Sequence, residues 1–237
     1  MILPTRVKIG RLGVPTFYVG NLAHPPIEFL SRFIHYRNWS VTGYTDSTVK
    51  VRIEGKVELE LTLSAWTAVF SEWVYWERHY AEFIPRNLRT VLDVGAGCGE
   101  TALFYFLHGA EKIICVEPEP DRARLLEKNS RDHGWNTSIV QGQFHPRLLE
   151  QFDFDFMKMD CEGCESELLN IDMLPPCVIE VHGRKLFDGL TTRFPRLEIA
   201  ELQQDPKFDL WILGSRSRIE ASHKNSSSGL RHLDISS

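Results

Sequence analysis

Residues 157–165, MKMDCEGCE, place Cys161 and Cys164 three positions apart among Asp160, Glu162 and Glu165. A C-x-x-C pair is the spacing of half a zinc clip or of a dithiol redox centre, while interleaved carboxylates suit proton transfer or a hard cation. A zinc clip needs a second pair or histidines at ligand spacing, and Cys177 is the one thiol nearby in the chain. Cysteine chemistry is therefore not the expected role, and the five cysteines, an odd number, are expected as reduced thiols.

The stretch just before this motif, FDFMKMD, has the apolar content of a buried strand, so Asp160 and Glu162 fall at or just beyond its carboxyl end. A second such strand, VIEVHG, carries Glu180 and His182, which stand two apart and so face the same side of a sheet. In an open α/β sheet, ligands bind outside these carboxyl ends. Two chemistries follow for Asp160, Glu162, Glu180 and His182. In one, His182 or an acid takes the proton of a substrate hydroxyl. In the other, Asp160, Glu180 and His182 hold a divalent cation that acidifies that hydroxyl. We prefer the first, so no metal ligands are assigned. Glu167 reads as the solvated face of the helix that follows, and Glu165 admits the same reading.

A third group precedes these. LDVGAGCGET runs from an apolar strand straight into a helix-forming segment, with Gly95, Gly97 and Gly99 where the chain must turn and approach a ligand closely. The next strand, IICVEP, ends in Glu117, placed to meet the two hydroxyls of a ribose. The loop is G-x-G-x-G rather than the dinucleotide pattern G-x-G-x-x-G, and neither Lys nor Arg stands in it to meet phosphate. Asp93 would repel a pyrophosphate but attract the ammonium of a methionine moiety. S-adenosylmethionine therefore fits better than NAD.

Together, VLDVGAGCGETALFYFLHGAEKIICVEPEP, LEKN, DFMKMDCEGCESELL and VIEVHG resemble, in order and spacing over about residues 90–190, the FkbM family of class I S-adenosylmethionine-dependent methyltransferases. In that family's pattern the recurring residues of D-C-E-G-C-E are the Asp, the Glu, the Gly and the last Glu, which makes Cys161 and Cys164 spacers. The resemblance implies a Rossmann-like, doubly wound, mostly parallel seven-stranded sheet. Donor contacts are then expected from Asp93, Gly95, Ala96, Gly97, Gly99, Glu117 and Pro118. Gln143 stands where related enzymes often carry an acid for the adenine amino group, and its amide oxygen can accept the same bond. Phe144 beside it flanks the ring or belongs to the core.

The elements that must position these residues are legible too. From residue 90, short apolar runs alternate with helix-length segments, which argues for a parallel sheet covered on both faces. QQDPK is too short for a parallel crossover, so Leu197–Leu202 and Phe208–Leu213 are expected as an antiparallel edge hairpin. Upstream, VKVRIEGKVELEL alternates about Glu54-Gly55-Lys56 as a β-hairpin. SAWTAVFSEWVYWERHYAEFI then reads as an amphipathic helix, capped by Ser64 and ended by Pro85. Glu72, Trp73, Trp76 and Tyr80 on it either cap the methionine end or an acceptor pocket, or pack against the sheet. The expected organisation is an N-terminal extension over residues 1–84, a catalytic domain over 85–214 and a flexible tail over 215–237.

Lys and Arg number 27 against 32 Asp and Glu, a balance that disfavours nonspecific nucleic-acid binding. No run approaches a membrane span and no leader is evident, so a cytoplasmic protein is expected. The function expected is S-adenosylmethionine-dependent O-methylation of a small hydroxylated metabolite, a sugar or a polyketide-like molecule. The alternatives are an RNA-modifying methyltransferase, since residues 1–60 lean basic, and a donor-binding protein without catalysis.

Overall fold

The computed structural model describes residues 6–9, 15–19, 22–24, 39–53, 55–202 and 210–222. Three short antiparallel strands come first: β1 (Arg6–Ile9), β2 (Pro15–Val19) and β3 (Leu22–His24). A second antiparallel sheet follows, of β4 (Ser40–Tyr44), β5 (Thr48–Ile53) and β6 (Val57–Thr62). The expected hairpin is β5–β6, with Ile53 opposite Val57; Glu54 of its turn lies outside the described residues. Alternation sends Val49, Val51, Ile53, Leu59 and Leu61 into the core and the charged residues between them outward.

Helix α1 (Leu63–Tyr75) begins two residues earlier than expected, because Thr62 rather than Ser64 caps it: its hydroxyl accepts the Ala65 N–H at 3.1 Å. The helix widens into a π turn over Trp76–Tyr80 and tightens into a 3₁₀ turn over Ala81–Phe83 before Pro85. This brings Trp76 and Tyr80, both buried, into a stacked pair 6.2 Å apart.

The central sheet then forms in chain order: β7 (Thr90–Val94), α2 (Glu100–Leu107), β8 (Lys112–Glu117), α3 (Pro120–His133), β9 (Thr137–Gln141), α4 (Leu148–Gln151), β10 (Phe156–Met159), β11 (Met173–Leu174), β12 (Cys177–His182), α5 (Arg184–Arg193), β13 (Glu198–Leu202), β14 (Leu210–Ser215) and β15 (Ile219–Glu220). Seven of these strands line up as β13-β14-β12-β10-β7-β8-β9. Neighbours from β12 to β9 run parallel, and β14 runs antiparallel to both β12 and β13. The edge hairpin is thus present, but β14 is inserted between β12 and β13, so of the two strands of the hairpin β13 alone lies at the edge. Residues 203–209 of its turn lie outside the described residues.

The sheet is buried on both faces. Val91, Ile113, Cys115, Phe156 and Val178 point into one apolar layer with the N-terminal hairpin and α1, while Leu92, Ile114, Met157, Ile179 and Val181 point into the other. The hairpin is fastened to the glycine loop by Asn129 of α3. Its amide oxygen accepts the Glu60 N–H at 2.9 Å, and its NH₂ donates to Glu60 O at 2.9 Å and Cys98 O at 2.8 Å. The expected flexible tail starts too early: β15 pairs antiparallel with β11 and buries Ile219. Residues 223–237 lie outside the described residues. No helix among the described residues is long and apolar enough to cross a membrane.

Candidate active site

The turn from β7 into α2 depends on backbone conformations that only glycine adopts freely. Gly95 has φ 76° and Gly97 φ 58°. A Cβ on Gly95 would run into the Asp160 carbonyl, and one on Gly97 into the Glu100 carboxylate. Glu117, at the end of β8, reaches back beneath this turn. One of its oxygens accepts the Gly97 N–H at 2.8 Å and the other the Glu119 N–H at 2.9 Å, so the carboxylate is held in a single orientation with a second lone pair free on each oxygen.

A cavity of about 330 Å³ opens in front of the loop. Gly95, Gly97, Glu117 and Pro118 form one wall, Asp160, Glu162 and Glu180 another, and Glu72 with Trp76 from the α1 segment closes it. A second cavity of about 330 Å³ adjoins it, sharing Gly95, Pro118, Cys161 and Glu162 and adding Gln143 and Phe144. The structure therefore brings together, from separate strands, nearly all the residues that the sequence nominated. Ala96 and Gly99 belong to the turn without lining either cavity, and His182 lines neither, standing 3.7 Å from Glu180 and 3.9 Å from Glu162 of the wall. Phe144 is buried and also lines the second cavity.

Asp93 is the exception. It is fully buried beneath the loop, where Thr101 Oγ1 donates to Oδ2 at 2.5 Å and Lys158 Nζ lies 3.3 Å from Oδ1. Lys158 stands directly opposite Asp93 in the β10–β7 register and also donates to Gly95 O at 2.8 Å. Burial works against its charge, but Asp93, then Asp160 and Glu180, outweigh it and lift the Lys158 pKa above the usual lysine range. The contact expected between Asp93 and a donor ammonium is therefore taken by an internal lysine.

The carboxylates across the cavity are crowded. Burial, reinforced by Asp160, pushes Glu72 up to about 7 and Glu180 up to about 8. Tyr80, wholly buried, donates its hydroxyl to Glu180 Oε2 at 2.6 Å. Glu165 belongs to no solvated face: it is fully buried, and its carboxylate accepts the N–H of Cys161 at 3.1 Å and of Gly163 at 2.8 Å. Burial pushes its pKa up, but His182 and the Cys161 N–H hold it below the usual range. His182 Nδ1 lies 3.5 Å from Glu165 Oε1, and its Nε2 lies 3.7 Å from Glu180 Oε1 and 3.9 Å from Glu162 Oε2. Glu165 lifts the imidazole to about 9 against its burial. Glu162 has the left-handed φ of 57°, rare for a side chain of its size, and its carboxylate is 85% exposed.

The cysteines flanking Glu162 depart from expectation. Cys161 and Cys164 form a disulfide, with Cα atoms 5.6 Å apart. The left-handed turn over Glu162 and Gly163 folds the chain back so that the two side chains meet. Cys98, Cys115 and Cys177 are free and buried, as expected of reduced thiols.

Two curated relatives match part of the chain. One is 30% identical over 96 residues, 40% of this chain and 60% of its own: "Uncharacterized protein 158B" of Sulfolobus islandicus rod-shaped virus 1. The other is 34% identical over 103 residues, 42% of this chain and 63% of its own: "Uncharacterized protein 65" of Sulfolobus islandicus filamentous virus. The chain thus spans about three fifths of the length of these relatives. No family model matches. Among solved structures, M. jannaschii TYW2 in complex with AdoMet superposes with a TM-score of 0.51 at 13% identity, over 76% of this chain and 89% of its own. The fold is Rossmann-like, as in that structure. At that identity the likeness speaks to the sheet and helices. What the site does is argued from its own residues.

Proposed function

We propose that this protein is a class I S-adenosylmethionine-dependent methyltransferase that methylates an oxygen of a small hydroxylated acceptor. The observation that carries this reading is the single cavity in which a glycine turn, a fixed Glu117 and a wall of carboxylates meet. The residues fit the donor. Glu117 is an acceptor-only group whose orientation is set by two N–H donors and whose remaining lone pairs suit a ribose diol. Gln143 and Phe144 line the adjoining cavity, where an adenine would extend. The motif order that resembles the FkbM family points to the same donor.

S-adenosylmethionine supplies an electrophilic methyl group on a sulfonium sulfur: the acceptor oxygen forms the new C–O bond, and the C–S electron pair stays on sulfur as a neutral thioether. The chain's contribution is to align the acceptor and remove its hydroxyl proton. Glu72, across the cavity with its pKa lifted to about 7, is poised to take that proton near neutrality. Asp160, Glu162 and Glu180 orient the acceptor hydroxyls, and His182 stands beside Glu180 and Glu162 to hold them. Seven acidic side chains line the cavity against Arg122 and Lys158; with Glu72, Glu100 and Glu180 lifted to about 7 to 8 and so partly protonated near neutrality, the other four still outnumber the two cations, which supports a neutral or cationic acceptor over RNA.

Calorimetric titration with S-adenosylmethionine and S-adenosylhomocysteine tests the donor, with labelled methyl transfer to diol, sugar and RNA panels testing the acceptor. Micromolar binding and transfer to a hydroxylated small molecule are expected. Absence of donor binding, or transfer to RNA alone, would refute the reading.

A further inference from the structure

At the carboxyl ends of β10 and β12, Asp160, Glu180 and His182 each offer one ligand atom, and these atoms lie within 4.8 Å of one another. Donors around a cation bound at about 2.1 Å stand about 3 Å apart when adjacent and about 4.2 Å apart when opposite, so small side-chain rotations close this set on an ion. Two features separate it from a mere crowd of acids. First, two of its members, His182 and Glu180, have other side chains behind them. Buried Glu165, held by two backbone N–H groups, faces His182 Nδ1 and leaves Nε2 on the side of Glu180. Tyr80 takes Glu180 Oε2 and leaves Oε1. A carboxylate behind an imidazole and a hydroxyl behind a carboxylate are the supports that hold metal ligands in orientation. Second, the buried indole N–H of Trp76, whose ring lines the same cavity, has no acceptor among the described residues. An oxygen held on the open side of the ion would provide one.

We propose that Asp160, Glu180 and His182 bind one divalent cation. One imidazole with two carboxylates suits Mn²⁺ or Zn²⁺ better than the all-oxygen shells of Mg²⁺ and Ca²⁺. Three protein ligands leave open positions that an acceptor hydroxyl enters, and vicinal oxygens enter best because two can coordinate at once. Coordination acidifies that hydroxyl; its proton passes to Glu72 and its oxygen takes the methyl. That use of the ion rests on the proposed methyltransferase function, whereas its binding does not.

The test is binding of MnCl₂ to the chelator-treated full chain, kept free of reductant so that Cys161 and Cys164 stay bridged, followed by calorimetry and by the loss of the free Mn²⁺ resonance signal. One ion per chain with a micromolar Kd is expected. His182→Gln and Glu180→Gln should each weaken it by about 100-fold, and Glu165→Gln by about 10- to 100-fold. S-adenosylhomocysteine affinity, measured on every variant, reports whether the cavity is intact. No stoichiometric uptake up to about 1 mM MnCl₂, or uptake unchanged in both His182→Gln and Glu180→Gln, would overturn the site. Donor binding without Mn²⁺ uptake defeats the cation alone; Mn²⁺ uptake without donor binding supports the cation and defeats the donor.

Discussion

Replacing Lys158 by methionine isolates the pair that holds the glycine loop. Lys158 and Asp93 are 1% and 0% exposed, 3.3 Å apart, and the ammonium also donates to the carbonyls of Val94 at 3.3 Å and Gly95 at 2.8 Å. Methionine keeps the volume of the lysine stem, so the cost arises from a buried carboxylate left with one partner, Thr101. Breaking a buried pair from one side costs about 3–5 kcal/mol. With a urea slope of about 2.5 kcal/mol/M, the unfolding midpoint of Lys158→Met should fall by about 1–2 M. Asp93→Asn in the same chain removes the stranded charge while keeping an acceptor for Thr101, and should restore about half of the loss. The double-mutant cycle should then show a coupling of about 2 kcal/mol or more. A loss below about 1 kcal/mol for Lys158→Met, or a coupling near zero, would refute the view that Asp93 serves the loop from within.

Other consequences are equally direct. Glu117→Ala should weaken S-adenosylhomocysteine binding by about 2–3 kcal/mol, roughly 30- to 150-fold by calorimetry, and unchanged affinity would remove Glu117 from the site. Gly95→Ala must place a side chain at φ 76° and against the Asp160 carbonyl, so donor affinity and thermal stability should both fall, stability by about 2 kcal/mol or more. Glu100 is buried and its pKa is pushed up to about 7. Its contribution to stability is present below the unfolded carboxylate range and is lost as pH rises through about 7, by about 3 kcal/mol over that window. Glu100→Gln should flatten that dependence in urea melts, and a wild-type profile no steeper than the variant's would contradict it. Cys161→Ser with Cys164→Ser opens a bridge with a sequence separation of 3, so unfolding free energy should fall by no more than about 2 kcal/mol, and collapse of the fold would contradict that.

Sequence alone carried the β7 turn, the β5–β6 hairpin and the strand-end placement of Asp160 and Glu180, because each rests on periodicity or on glycine within a few residues. What it could not carry was long-range pairing. Asp93 looked available to a ligand because its partner, Lys158, stands opposite it only once β10 is laid against β7. Lys158 itself gave a signal, a lone charge amid the apolar FMKM of a buried strand, and so did Tyr80, a hydroxyl on an apolar helix face. Both needed a partner that sequence spacing does not name. Glu165 was open to a solvated reading for the same reason, and the disulfide was missed because local spacing was weighed against family pattern rather than against the left-handed turn at Glu162.

The position of β14 also sets an order for assembly during synthesis. The glycine turn, β8 and β9 are complete by Gln141, but β12 gains its second neighbour only when residues 210–215 enter between it and β13. Until then the strand bearing Glu180 and His182 presents an open row of backbone N–H and C=O groups. A chain halted near residue 200 would therefore carry the glycine turn in place while its acid-bearing strand invited pairing with any other extended segment, which makes the last strands a guard against aggregation.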